Sequence, residues 1–319
     1  MNHSLPIAPD KPWLAPLAGY SDLPFRLLCR TWGCNAACTE MISAKGLFYS
    51  SENTMDLLRT CSSDFPLIVQ VYGSELNSIS KAMDRLLEMG FKYFDLNCGC
   101  SVRKVTKTGS GAALLRNPSL LVDMIAVMAE KAGRNNVGVK MRIGWNNDQP
   151  VYLDLAEPLA GAGAGWITLH PRTAVQMFSG RADWQALKKL KEVSKVPVVA
   201  SGDLYTAEDA LNCVKQTGVD TVMFARGALM DPAIAMRYLN LLQERADLPR
   251  NKLFVHQLCM QTIAHYRRFS SSPRTALKLR SLLPRIIRSL PGARDLRQRI
   301  IKCKDWKEME EALLVLQGR

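Results

Sequence analysis

The chain has 319 residues, 22% charged and 47% apolar, a balance that excludes disorder, collagen and coiled coil. No apolar stretch reaches the roughly 18 residues a membrane span needs, and Met1–Asp10 lacks the basic-then-apolar layout of a signal peptide. Lys and Arg number 42 against 29 Asp and Glu, net +13; residues 251–319 hold 15 basic and 5 acidic residues, net +10. That asymmetry points to a polyanionic partner on the C-terminal part, against the plain alternative of a solvated basic face. The nine cysteines are too sparse for a disulfide scaffold and show no paired zinc spacing, so a reduced, cytoplasmic, metal-free and membrane-free protein is expected.

Eight short apolar runs alternate with helical patterns: Trp13–Leu17, Ala36–Thr39, Leu67–Tyr72, Tyr93–Leu96, Val137–Met141, Trp166–Leu169, Val196–Ala200 and Thr221–Phe224. Between the third and fourth, Leu76–Met89 carries Ile79, Met83, Leu86 and Leu87 on one helical face. Asn117-Pro118 reads as a cap with Pro in the first turn, and Thr206 with Asp209 as a capping box. Eight alternations predict a (β/α)8 barrel. An open doubly wound sheet would carry a Gly-rich fingerprint after its first strand, which is absent.

After Met230 the strand pattern stops, and residues 251–317 read as helices broken near Ser271–Pro273 and Pro291-Gly292. The division expected is a barrel over 1–245 and a basic helical domain over 246–319. At 100° per residue, Arg274, Lys278, Arg285 and Arg288 form one stripe opposite Leu279, Leu282, Leu283, Ile286 and Leu290. Pro284 should bend or split that helix.

In such barrels chemistry gathers at the C-terminal strand ends. Polar residues stand there nearly every time: Glu40, Gln70, Asp95 to Cys100, Lys140 with Arg142, His170 with Arg172, Ser201 to Asp203, and Ala225-Arg226-Gly227. Any one of them is more often a plain loop residue; the set is not explained that way. Gly202 and Gly227 follow strands seven and eight, where barrels bind phosphate, and Arg226 adds a charged fork. With Lys140 and His170 at the same mouth, flavin mononucleotide fits, since a lysine there stabilises an anionic reduced ring. Cys100 follows a strand in a Gly-bearing loop. A lone Cys is usually a buried hydrophobe, but a thiol largely protonated at neutral pH can act as a general acid.

These motifs resemble the bacterial tRNA-dihydrouridine synthases, closest to the B-type group. The resemblance is carried by Ala15-Pro-Leu-Ala-Gly-Tyr-Ser-Asp22 with Phe25-Arg26, Thr39-Glu-Met-Ile-Ser-Ala-Lys45 and Val69-Gln-Val-Tyr-Gly73. It continues through Asp95-Leu-Asn-Cys-Gly-Cys100, Gly109-Ser-Gly-Ala-Ala-Leu-Leu115, Val139-Lys-Met-Arg-Ile-Gly-Trp145, His170-Pro-Arg-Thr173 and Ala182-Asp-Trp184. It implies reduction of the C5=C6 bond of tRNA uridines by FMN, with NADPH as reductant. By the same resemblance Cys100 protonates C5, Asn97 holds the uracil beside it, Arg142 lies near the substrate, and the base leaves its stack to enter the mouth. The FMN positions implied are Pro16, Leu17, Ala18, Gln70, Lys140, His170, Ser201, Gly202, Asp203, Ala225 and Arg226. The stripe Arg274, Lys278, Arg285 and Arg288 would hold tRNA phosphates, and a monomer is expected. Ser101, Ala174, Ser201 and Ala225 stand where the family usually has Pro, Arg, Asn and Gly. Two other readings are a flavin enzyme acting on a small pyrimidine, like the dihydroorotate dehydrogenases, and a catalytically weak tRNA-binding relative.

Overall fold

The computed structural model describes residues 5–48, 52–269 and 275–317. Nine parallel strands make its centre: β1 (Trp13–Leu14), β2 (Ala36–Cys38), β3 (Ile42–Ser43), β4 (Leu67–Tyr72), β5 (Tyr93–Cys98), β6 (Val137–Arg142), β7 (Trp166–His170), β8 (Val198–Ala200) and β9 (Thr221–Phe224). β9 pairs with β1 and β2 with β4, so the ring closes. Eight of the strands match the eight apolar runs. The ninth, β3, is a two-residue extension pairing beside the end of β4. β1 ends earlier than its run predicts: Ala15 still donates to the Phe224 carbonyl at 2.8 Å, and Pro16 then has no amide to continue the ladder. β5 runs two residues further than expected, which puts Asn97 and Cys98 in the strand.

Strand alternation sorts the side chains into two layers. Phe94, Leu96, Cys98, Val139, Met141, Ile167 and Leu169 face outward and join the helices in one apolar cluster. Trp13, Ala36, Ile68, Tyr93, Trp166 and Met223 face inward and plug the barrel's lower half. Trp13 and Trp166 meet edge to face at 5.7 Å. Gly138 makes this possible, since a Cβ there would lie 2.0 Å from the Trp166 ring. Further up the strands the inward positions turn polar, and that layer is the floor of the mouth.

Helices connect the strands. Asn117 caps Pro118–Ala132 by accepting from the Leu120 amide, and the Thr206–Asp209 box opens Ala207–Thr217. Helix Leu76–Glu88 buries Ile79, Met83 and Leu86, as its spacing requires. Beneath the N-terminal strands, Arg26 and Asp64 form a fully buried ion pair at 2.6 Å. Arg26 also donates to the Ser21 and Arg59 carbonyls, and Arg30 reaches the second carboxylate oxygen at 3.0 Å.

The C-terminal helices are Lys252–Phe269, Thr275–Ile287, Arg294–Lys302 and Trp306–Leu313. The first packs on Leu23–Thr31, with Trp32 Nε1 donating to Gln261 at 2.9 Å. The helix Thr275–Ile287 is not split at Pro284. Leu282, Leu283, Pro284, Ile286 and Ile287 are all buried there, and packing on both sides of the proline outweighs the hydrogen bond it removes. The expected break at Ser271–Pro273 and the residue Arg274 lie outside the described residues. The apolar cluster continues from the barrel's outer layer into these helices, so the interior runs across the expected boundary at residue 245.

Candidate active site

A cavity of about 270 Å³ opens at the C-terminal ends of the strands. Fourteen expected residues line it: Pro16, Leu17 and Ala18 after β1, Gln70, Asn97, Cys100, Lys140, Arg142, His170, Ser201, Gly202, Asp203, Ala225 and Arg226. β6 and β7 are in register so that Lys140 faces Thr168 and Arg142 faces His170. Those four inward positions therefore rise together from floor to lip.

Lys140 is the most telling of them. It lines the cavity and has no hydrogen-bond or ion-pair partner among the described residues. Burial and the Arg142 charge lower its ammonium to about 8. A half-buried cation left unpaired in a cavity wall is suited to a ligand bearing negative charge. His170 is held neutral: burial, then Lys140 and the surrounding arginines, bring its imidazole down to about 2. It can donate or accept one hydrogen bond but carries no charge at physiological pH.

Two arginines shape the walls. Arg142 donates to the carbonyls of Gly99, Thr173 and Met177, each at 2.8 Å, and so ties the Cys100 loop to the loop after β7. Arg172, only 2% exposed, grips Asp203 with two bonds of 2.9 and 2.7 Å and approaches His170 Nε2 at 3.2 Å. Asp203 also accepts from the Ala182 amide and from Arg226. Its carboxylate is thereby saturated by protein, and the Arg172 and Arg226 partners hold it below the usual range despite opposing desolvation. Asp203 thus serves the wall, and what it can offer a ligand is backbone.

Asn97 is likewise engaged. Its Oδ1 accepts from the amides of Gly99 and Cys100 at 3.1 and 3.0 Å, and its Nδ2 donates to Gln70 at 2.7 Å. Cys100 sits at the lip, half-buried, while Cys98 is fully buried in the outer core, where burial drives its thiol far up. Gly111 packs against the Cys100 loop at φ +63°; a Cβ there would lie 2.6 Å from the Cys100 carbonyl. The chain therefore needs glycine at that point to bring the loop in close.

Residues outside the expected set complete the site. Phe178, 56% exposed, overhangs the cavity with Arg226 at 4.8 Å and Arg142 at 5.6 Å from its ring. Met41, Met177 and Tyr205 also line it. They lie in loops with no apolar period or polar strand end to mark them.

The charged stripe of Thr275–Ile287 divides. Lys278 bonds Asp22 at 2.5 Å and lies 4.0 Å from Glu40. Asp22 also accepts from Tyr266 at 2.9 Å. Arg285 covers the Tyr20 ring at 5.3 Å and donates to its hydroxyl. Both contacts land on the loop after β1 that supplies Pro16 to Ala18. Arg285 and Arg288 line a second cavity, of about 530 Å³, between the barrel and the helices; Tyr205 borders both cavities.

The closed barrel and its cationic mouth define an enzyme of the (β/α)8 class. The chain belongs to the dihydrouridine synthase (Dus) family, whose model matches residues 13–317. A probable tRNA-dihydrouridine synthase of Treponema pallidum is 35% identical over 73% of this chain and 71% of its own length. The tRNA-dihydrouridine synthase B of Pseudomonas aeruginosa is 29% identical over 93% and 90%. Among solved structures, the old yellow enzyme homologue of Zymomonas mobilis superposes with a TM-score of 0.52, at 12% identity, over 75% of this chain and 90% of that one. That likeness shows the shared barrel. Among the described residues no helix is long and apolar enough to cross a membrane, and no group of three or more His, Cys, Asp or Glu could hold a metal ion.

Proposed function

We propose that the chain reduces uridine to dihydrouridine in tRNA, in the cytoplasm, using FMN and NADPH. The observation that carries this reading is the pairing of Cys100 and Lys140 on one cavity, a thiol at the lip and a half-buried, partnerless cation below it. FMN, when bound, would supply two-electron hydride chemistry for the uracil C5=C6 bond, with NADPH as the reductant.

The residues present fit that group. Lys140 offers the ring a positive charge that no protein group consumes. Gln70 and His170 present neutral polar edges, and Pro16 to Ala18 an apolar wall. The phosphate would meet the Arg226 side chain and the amides of Arg226 and Gly227 that open helix Arg226–Met230. Cys100 would give its proton to C5 of the uracil, and solvent would return one to the thiol. Asn97 holds the loop that aims it, and Arg142 keeps that loop against the wall. The flipped base enters past Phe178, while Arg285, Arg288 and the basic helical domain 246–319 take tRNA phosphates. Lys278 contributes less, being held by Asp22.

The test is anaerobic single turnover. The NADPH-reduced protein is mixed with tRNA lacking dihydrouridine, and flavin reoxidation is followed with mapping of the product. Reoxidation that requires tRNA and yields dihydrouridine supports the reading. Reoxidation by free uracil or orotate alone would replace it with a small-pyrimidine enzyme.

A further inference from the structure

Below the mouth lies a carboxylate that this chemistry does not use. Asp95 is 1% exposed, on β5, pointing inward like Asn97 two residues on. Its Oδ2 accepts from Gln70 Nε2 at 2.7 Å. Gln70 Oε1 in turn accepts from Asn97 Nδ2 at 2.7 Å. Asn97 Oδ1 then accepts from the amides of Gly99 and Cys100. Three links run unbroken from the barrel interior to the backbone amide of the lip thiol, with a branch to Gly99.

The ends of this chain have fixed polarity. An ionised carboxylate only accepts, and a backbone N–H only donates. Between them stand two amides, each able to present oxygen or nitrogen to either side. With both ends fixed, one orientation satisfies every bond: each amide points its nitrogen toward Asp95 and its oxygen toward Cys100. Remove the acceptor at Asp95 and Gln70 keeps a buried donor with nowhere to go. It can then turn over, present nitrogen to Asn97, and release the two loop amides. Burial pushes the Asp95 carboxyl up to about 7, with Gln70 and Lys140 pulling the other way; a proton on the unpartnered Oδ1 leaves Oδ2 accepting from Gln70, so this end of the chain accepts in both forms.

We propose that Asp95 is a positioning residue, which through Gln70 and Asn97 fixes the backbone amide of Cys100 and so the aim of its thiol. The inference rests on Cys100 being the proton donor. The rival role for Asp95 is electrostatic, acting on Lys140 and hence on the cofactor.

The experiment compares holoenzymes of Asp95→Leu, Asp95→Asn and Asn97→Ala, and the double variant Asp95→Leu with Asn97→Ala. Three rates are read: flavin reduction by NADPH, tRNA-dependent reoxidation, and iodoacetamide alkylation of Cys100 against Cys61 as internal reference. Asp95→Leu is expected to slow tRNA-dependent reoxidation at least tenfold while Cys100 alkylates faster, by threefold or more, because a freed loop exposes the thiol as it misaims it. NADPH reduction should stay within threefold. Asp95→Asn, which keeps an acceptor for Gln70, should restore both Cys100 rates to within threefold of the parent. Asn97→Ala should reproduce the Asp95→Leu pattern, and the double variant should be no worse than Asn97→Ala alone, since coupled groups are non-additive. If Asp95→Leu does not give folded holoenzyme, Asp95→Ser, whose hydroxyl is too short to reach Gln70, takes its place.

Loss of NADPH reduction in step with uridine reduction would overturn the proposal in favour of the Lys140 role. Additive effects, or failure of Asp95→Asn to rescue, would overturn it as well. Separately, uridine reduction that survives in Cys100→Ala would sink the donor assignment, whatever the alkylation rates of the Asp95 variants show.

Discussion

Arg142 and Arg172 in the barrel mouth are almost entirely buried, whereas Arg285 on helix Thr275–Ile287 and Arg288 in the turn after it are exposed. The buried pair spend their donors on backbone carbonyls and on Asp203, and so set the shape of the cavity. The exposed pair have no carboxylate partner among the described residues and line the cleft beside the mouth. Lys278, on the same stripe, belongs with the first group, since Asp22 has claimed it. Position on a helical wheel therefore does not tell a binding cation from a structural one. What tells them apart is whether the fold brings an anion or a carbonyl within reach.

The sharpest way to break this contrast is at the mouth itself. Cys100→Ala should lower uridine reduction by about 10²-fold or more, the usual weight of a positioned acid, with flavin reduction by NADPH unchanged in stopped flow. Cys98→Ala, altering a residue of the outer core, should leave uridine reduction much as it was. Equal losses in the two variants would remove the distinction between lip and core.

Next in size is a buried cation with a purely structural task. Arg26→Ala leaves Asp64 inside the protein with Arg30 as its remaining cation and should destabilise it by about 3 kcal/mol, the low end for breaking a buried pair, read from the urea midpoint. A surface-like loss of under about 1 kcal/mol would mean that the pair is as weak as an exposed one.

Lys140 lies between the two kinds, half-buried and unclaimed. With its ammonium lowered to about 8, it is mostly charged at pH 7 and loses its proton as pH rises through that value. Affinity for the anionic reduced flavin should therefore fall above pH 8, in titrations of apoprotein with reduced FMN, and Lys140→Met should show the weaker affinity at every pH. A parent profile flat from pH 7 to 9.5 would contradict the assignment.

The smallest effect separates members of the stripe. Arg288→Gln should reduce the salt dependence of tRNA binding by about 0.7–0.9 log units per log unit of salt, one phosphate contact. Lys278→Gln should change that slope less, and should instead weaken FMN retention by loosening the loop after β1. Equal slopes for the two would show that Asp22 does not hold Lys278 in solution.

The sequence by itself determined the barrel. Eight apolar runs, the caps at Asn117 and Thr206, and the polar residues closing each run are local signals of strand length, helix start and strand end, and local signals survive folding unchanged. It also placed the site residues on one mouth, because parallel strands in a ring put all their C-terminal ends on one side. What only the tertiary structure decided is how those residues spend their hydrogen bonds. Asp203 meets Arg172 from the loop after another strand, Gln70 joins Asp95 to Asn97 across β4 and β5, and Lys278 reaches Asp22 across more than two hundred residues. Phe178 entered the site on a loop with no periodic pattern, and Pro284 stayed within its helix because buried neighbours outweighed its own preference. Each of these depends on which groups meet in space, and a charge or an amide carries nothing in its own sequence to say who its partner will be.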